Sequence, residues 1–277
     1  MRLKRVRHSR NVEDRRNTRG RSAGIGGVGL LIVLAIGYFA GVAVSPLLDD
    51  VAQPQSQTNT PLSPEERKTG EFSAAVLGTT EEVWSTVFAE QLGRQYTPPV
   101  LVLFSGVTQS PCGGANGATG PFYCPADRKA YLDTQFFATL SGQLGARGDF
   151  AAAYVIAHEV AHHVQNELGI LEQVHQARQQ ASTRDANALT VRLELQADCF
   201  SGVWARAVDG LLDAGDLDEA LNAARKIGDD HLQKRAGRVP QPHTFTHGTS
   251  KQRASWFARG YDTGALQSCD TFAAKRL

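Results

Sequence analysis

The sequence predicts an α+β protein, mainly helical, with a small β-sheet or hairpin and one transmembrane helix ahead of a large folded domain. Three observations lead there. From residue 134 onward, long stretches carry apolar residues at helical spacing between Gly- or Pro-marked breaks. Between Pro99 and Thr134 the apolar runs VLVLF, FYC and KAYLD are short and bounded by turn residues, as strands are. Residues 24–44 carry no charge at all.

At 277 residues the chain can bury a sizeable core. Its near-neutral charge hides two zones. Residues 1–23 carry nine Lys/Arg and two acids, leaving 20 basic and 26 acidic residues for the rest. The uncharged run that follows is long enough at 1.5 Å per residue to cross a bilayer, and with Pro46 to Leu48 it ends at Asp49 and Asp50. It is long for a signal peptide's apolar core, and no small-x-small cleavage site follows. The expected organisation is a basic cytoplasmic tail (1–23), a transmembrane helix (24–48), a polar, Pro-rich linker (49–64) and an extracytoplasmic domain (65–277). By the positive-inside rule a single-pass protein of the cell membrane is expected, with its N-terminus in the cytoplasm. A basic tail beside a span reads as contact with anionic lipid, not with nucleic acid.

Four cysteines, Cys112, Cys124, Cys199 and Cys269, allow two disulfides in three pairings. Cys112 with Cys124, closing a Gly-rich loop, and Cys199 with Cys269 are favoured. Neither pair has the CxxC spacing of a structural zinc site or a redox motif.

In chain order, residues 65–77 suggest a helix, and Thr79 or Thr80 before Glu81 and Glu82 the start of another carrying Val83, Trp84, Val87 and Phe88. Pro98 and Pro99 break that pattern before the strand at 100–104. Residues 105–122 form a Gly-rich loop without the glycine and lysine spacing of a phosphate loop. FYC and KAYLD around PADR read as a hairpin, which could also align a peptide by β-addition. Residues 134–144 suggest a helix and 145–148 a turn.

A helix from about Phe150 to Leu168, capped by Gly169, carries His158-Glu159-Val160-Ala161-His162. Four residues apart, the two imidazoles leave one helix face a turn apart, with Glu159 beside them. Imidazole nitrogen suits zinc, and an adjacent carboxylate can take a proton from water. His163 points about 100° away from His162 and should miss the same ion.

One helix cannot surround a tetrahedral ion, so a second element must supply the third ligand. Residues 189–208 place Glu194 and Asp198 one turn apart on a largely apolar helix. Glu194 is the expected ligand. Asp198 is expected to orient one histidine through its distal nitrogen, with direct ligation as the alternative. His175 and His231 read as surface residues.

After Gly210, a helix capped by Asp216 is expected through LDEALNAARKIGDDHLQ, then a loop at 237–249 and a helix through SKQRASWFARGY. His247 or Tyr261 could donate a hydrogen bond to a developing oxyanion, completing a catalytic set with Glu159.

With these residues assembled, the chain resembles metallopeptidases that have an HExxH helix and a downstream glutamate ligand. More closely, it resembles the bacterial "putative neutral zinc metallopeptidase" family. The resemblance rests on the basic start and apolar run, PCGGANGATGPFYCPADRKAYLD, IAHEVAHHVQN, RLELQADCFSGVW, HGTSKQRASWFARGY and CDTF. It implies a membrane-anchored, zincin-like domain with Zn²⁺ on His158, His162 and Glu194, Glu159 as general base, Asp198 behind the ligands, and a peptide or protein substrate. A binding or scaffold module with structural zinc, and a zinc hydrolase of a non-peptide bond, are the alternatives.

Overall fold

The computed structural model describes residues 1–19, 58–59, 61–116 and 120–277. By contacts the chain forms two units, one of Met1–Arg15 with Ser63–Leu277 and one of Arg16–Leu62. What is described of the smaller unit is an antiparallel pair, β2 (Thr18–Arg19) with β3 (Thr58–Asn59).

The larger unit begins with an unexpected strand. The basic stretch read as a tail contributes β1 (Val12–Asp14), which pairs in parallel with β4 (Val100–Phe104). Its charges are matched locally: Glu13 bridges Arg15 at 2.7 Å and Lys129 at 2.6 Å. Ser9 and Asn11 donate to the buried Glu81.

The transmembrane expectation is corrected. Among the described residues no helix is long and apolar enough to cross a membrane. The two longest, α1 (Pro64–Leu92) and α4 (Thr183–Ala207), are studded with charged residues. Residues 24–48 lie outside the described residues. A strand paired within the domain's sheet also stands on the same side of any bilayer as that domain, against a cytoplasmic N-terminus with an extracytoplasmic domain. Bilayer anchoring and a cell-membrane location are therefore not supported.

α1 is one 29-residue helix where two were expected. Ser63 and Glu66 form a capping box at its start. Thr79 and Thr80 open no second helix, because their hydroxyls donate to Val76 and Leu77 carbonyls within the first. Gly78 lies where the N-terminal segment crosses: a Cβ there would come 2.1 Å from the Arg7 carbonyl oxygen.

β4 continues into the hairpin β5 (Val107–Ser110) with β6 (Gly113–Asn116). β7 (Phe122–Cys124) and β8 (Lys129–Asp133) form the expected antiparallel pair. The main sheet runs β1-β4-β8-β7, parallel except for β7 at its edge. The Cys112–Cys124 bridge ties the β5–β6 hairpin to that edge strand.

A short turn, Phe136–Ala138, passes into a π-helical stretch at Thr139–Gln143. Then follow α2 (Asp149–Glu167) and α3 (Ile170–Gln179), separated by Gly169 with φ 75°. The polar run at 182–187 is the Ser182-capped first turn of α4. The helix expected from Asp216 divides at Gly228 into α5 (Asp216–Lys226) and α6 (Asp229–Arg235). A Thr249–Gln252 capping box starts α7 (Ser250–Thr263). The core lies where α1, α2, α4 and α7 meet the sheet: Phe150 stacks on Trp204, and Trp84 lies edge-on to Phe88 and Phe200.

Candidate metal centre

α2 is alanine-rich and buried along most of its length, so neighbouring helices pack close to it. Its N-cap, Gly148, has no side chain to accept a bond from the first turn. Glu219 of α5 does so instead, taking the Phe150 N–H at 3.1 Å. One α2 face carries His158 and His162, with ring centroids 4.8 Å apart. α4 presents Glu194 to both: its carboxylate oxygens lie 3.1 Å from His158 Nε2 and 3.5 Å from His162 Nε2.

These three residues form a group able to hold a metal ion, with donor atoms all within 4.8 Å of one another. The geometry fits zinc. Donors about 2.0–2.1 Å from a tetrahedral ion stand roughly 3.3 Å apart, and the measured separations bracket that value. A second acidic group, Asp149, Asp216 and Glu219, already meets a cation, because the Met1 ammonium lies 3.1 Å from Asp149 and 3.2 Å from Asp216.

Hydrogen-bond partners fix the tautomer of each histidine. His158 faces Asp198 through Nδ1 at 3.0 Å, so Nε2, toward Glu194, is the nitrogen left to take an ion in place of a proton. His162 gives its Nδ1–H to Gln165 Oε1 at 2.8 Å, with the same result. His163 is the reverse: Nε2–H donates to the Thr97 carbonyl at 2.7 Å, and Nδ1 accepts from the Tyr123 hydroxyl at 2.9 Å. Both its nitrogens are engaged away from the centre.

Asp198 is fully buried and heavily bonded. Besides His158, it accepts from the Tyr154 hydroxyl and from Arg253, whose Nε and Nη2 lie 2.8 and 2.9 Å away. Arg253 also donates to the Ile227 carbonyl at 3.3 Å. It reaches this position because α4 and α7 pack glycine to backbone: a Cβ on Gly202 would lie 2.0 Å from the Phe257 carbonyl oxygen, and one on Gly260 1.9 Å from that of Cys199.

The electrostatics follow from this packing. Burial opposes a charge on His158, but hydrogen bonds to Asp198 and Glu194 outweigh it and push its pKa up to about 9. Burial likewise opposes charge on Glu194, yet the two histidines hold its carboxyl well below the usual range. Asp198 is held down against burial by Arg253 and His158. Glu159 differs: burial raises it, only partly offset by the two histidines. Among the described residues its carboxylate has no hydrogen-bond partner.

His158, Glu159, His162 and Glu194 line a cleft of about 1350 Å³ shared with Tyr123 of β7 and Val174 of α3. His247 lines it too. The His247 loop is gathered by Asp229, whose Oδ2 accepts the backbone N–H groups of Thr246, His247 and Gly248 at 2.8, 2.6 and 3.0 Å. Asp229 Oδ1 stands 3.4 Å from His247 Nδ1. Tyr261 is elsewhere: its hydroxyl donates to Asp209, its ring lies under Arg206, and it does not line the cleft.

Five of the six residues singled out for the centre and its chemistry, together with Asp198, therefore converge, and Tyr261 does not. Tyr154, Gln165, Asp229 and Arg253 were missed. Tyr154 and Gln165 fall at i−4 and i+3 from the two histidines, which a reading of α2's inner face could have picked up. Arg253 and Asp229 carry no local signal. The disulfides are Cys112–Cys124 and Cys199–Cys269, the favoured pairing.

Residues 1–272 match the family model described as "Putative neutral zinc metallopeptidase". "Uncharacterized protein YpfJ" of Escherichia coli K12 is 47% identical over 98% of this chain and 99% of its own length. "Uncharacterized protein Mb2605" of Mycobacterium bovis is 44% identical over 66% of this chain and 65% of its own. No solved structure matches significantly. The matched span takes in every residue of the centre, and on that evidence the chain belongs to the putative neutral zinc metallopeptidase family.

Proposed function

We propose that this chain is a zinc-dependent peptidase that cleaves peptide bonds with water. The reading rests on one observation: two Nε2 atoms and a carboxylate converge in an open cleft beside Glu159, a buried carboxylate with no hydrogen-bond partner among the described residues. His158, His162 and Glu194 would hold the ion. When bound there, zinc supplies Lewis acidity, which makes water acidic enough to attack near neutral pH.

Glu159 takes the proton released as water oxygen bonds to the peptide carbonyl carbon. It then returns that proton to the amine nitrogen as the C–N bond breaks. His247, steadied by Asp229, donates from Nε2 to the carbonyl oxygen as negative charge develops there. Asp198 keeps His158 in the ligating tautomer. Tyr261 has no part in this scheme.

The test pairs metal analysis of the purified chain with cleavage of a peptide library by wild type and Glu159→Gln. E159Q is expected to bind one zinc per chain, as wild type does, and to lose about 10²- to 10⁴-fold in kcat. Stoichiometric zinc without peptide cleavage by wild type would overturn the reading. It would favour a binding module if no bond is cleaved, or a hydrolase of another substrate if a different bond is.

A further inference from the structure

Beyond the ligands, His162 and His158 are held by unlike partners. Asp198, behind His158, is ionic and clamped by Arg253. Behind His162 stand two neutral amides in series. Gln165 is fully buried and accepts the His162 Nδ1–H on Oε1 at 2.8 Å. Its Nε2 donates to the Leu193 carbonyl at 2.7 Å and to Gln196 Oε1 at 3.1 Å. The Gln196 Nε2 in turn donates to the Cys269 carbonyl at 3.1 Å.

This chain has a forced direction. Backbone carbonyls only accept, so Leu193 and Cys269 require an NH₂ group from Gln165 and Gln196 respectively. Turning either amide over would set two oxygens against each other at 2.7 or 3.1 Å. With Gln196 fixed by Cys269, its oxygen faces Gln165 and demands a donor. With Gln165 so fixed, its oxygen faces His162 and demands the proton on Nδ1. Nε2 is then left bare toward Glu194. The far anchor, Cys269, is itself bonded to Cys199 on α4, the helix that carries Glu194.

We propose that Gln165 and Gln196 are positioning residues that set the tautomer of His162, with the C-terminal Cys269 carbonyl as the fixed end of the chain. The proposal rests on the metal-centre reading above and deepens it: the site's affinity for its ion depends on a segment outside the cleft.

The experiment measures zinc affinity of the full chain by competition with a chelator, and the visible spectrum after cobalt substitution, for wild type, Gln165→Met and Gln196→Met. Circular dichroism checks that each variant is folded. Q165M removes the acceptor and is expected to bind zinc about 10- to 100-fold more weakly, with an altered cobalt spectrum. Were Gln165 only a cross-link between α2 and α4, Q165M would lower the melting temperature and leave zinc affinity and the cobalt spectrum as in wild type. Q196M, which touches no ligand, is expected to weaken zinc in the same direction and by less.

Wild-type affinity and spectrum in Q165M would overturn the proposal. If Q165M does not fold, an unchanged affinity in Q196M overturns it. Absence of zinc binding by wild type would overturn the metal-centre reading and this inference together. Tight zinc in every variant would overturn the inference alone.

Discussion

At the scale of single residues, Asp198 accepts from His158, Tyr154 and both arms of the Arg253 fork while shielded from water. A carboxylate in that position depends on its counter-charge. Arg253→Met should lower the unfolding free energy by about 3–5 kcal/mol, because it leaves a buried charge uncompensated. Denaturant titration measures this, and zinc affinity should fall with it. Asp229 gives a pH prediction. Burial acts to raise its pKa, but hydrogen bonds from the His247 ring and from the 246–248 backbone outweigh it and hold the carboxyl low. A depressed carboxylate stabilises the fold fully above its unfolded pKa of about 3.9, and that contribution disappears as pH falls through the lower folded value. Melting curves of wild type and D229N should therefore differ near neutrality and converge below about pH 4. His158, Glu159, His162, Glu194 and Asp198 were legible because a helix repeats on a short, known period. Arg253 was not, since it meets Asp198 across 55 positions. Tyr261 looked suitable only by type: Asp209 and Arg206 hold it away from the cleft.

At the scale of elements, the contact of α4 with α7 decides whether Arg253 reaches the centre. Gly202→Ala puts a methyl 2.0 Å from a backbone oxygen that cannot move aside as a side-chain tip would. It should cost about 1–3 kcal/mol or more, read as a lower Tm, and weaken zinc binding as Arg253 withdraws. Helix types and most strands could be read from pattern and punctuation. Their ends were harder, for tertiary reasons. Thr79 and Thr80 look like caps but turn back to their own helix, and the polar 182–187 run is a first turn with Ser182 as its cap. The division between α5 and α6 coincides with the crossing of the 246–250 loop, which bonds to Asp229 and Asp230.

At the scale of the whole molecule, the apolar run at residues 24–44 and the basic residues before it invited a tail-and-anchor reading. The first fifteen residues instead belong to the domain. Composition could not reveal this, because the pairing of β1 with β4 and the contact at Gly78 are long-range backbone events. Deleting residues 1–15 should expose an edge of β4 and strip partners from Glu81 and Lys129. We expect Tm to fall by about 5–10 °C, near 2–4 kcal/mol for a domain of this size, in a thermal melt.

The same parallel pairing bears on how the chain is made. Val12 must wait for Leu101, about 90 residues later, and closing such a loop costs roughly 4 kcal/mol of chain entropy before any contact repays it. The other end is later still, since Arg253 leaves the ribosome 95 residues after His158, and Cys269 after that. During synthesis the two histidines therefore appear long before the groups that aim them. Until then the nascent chain holds a pair of loose imidazoles, and the centre is complete only once Cys269 has been made.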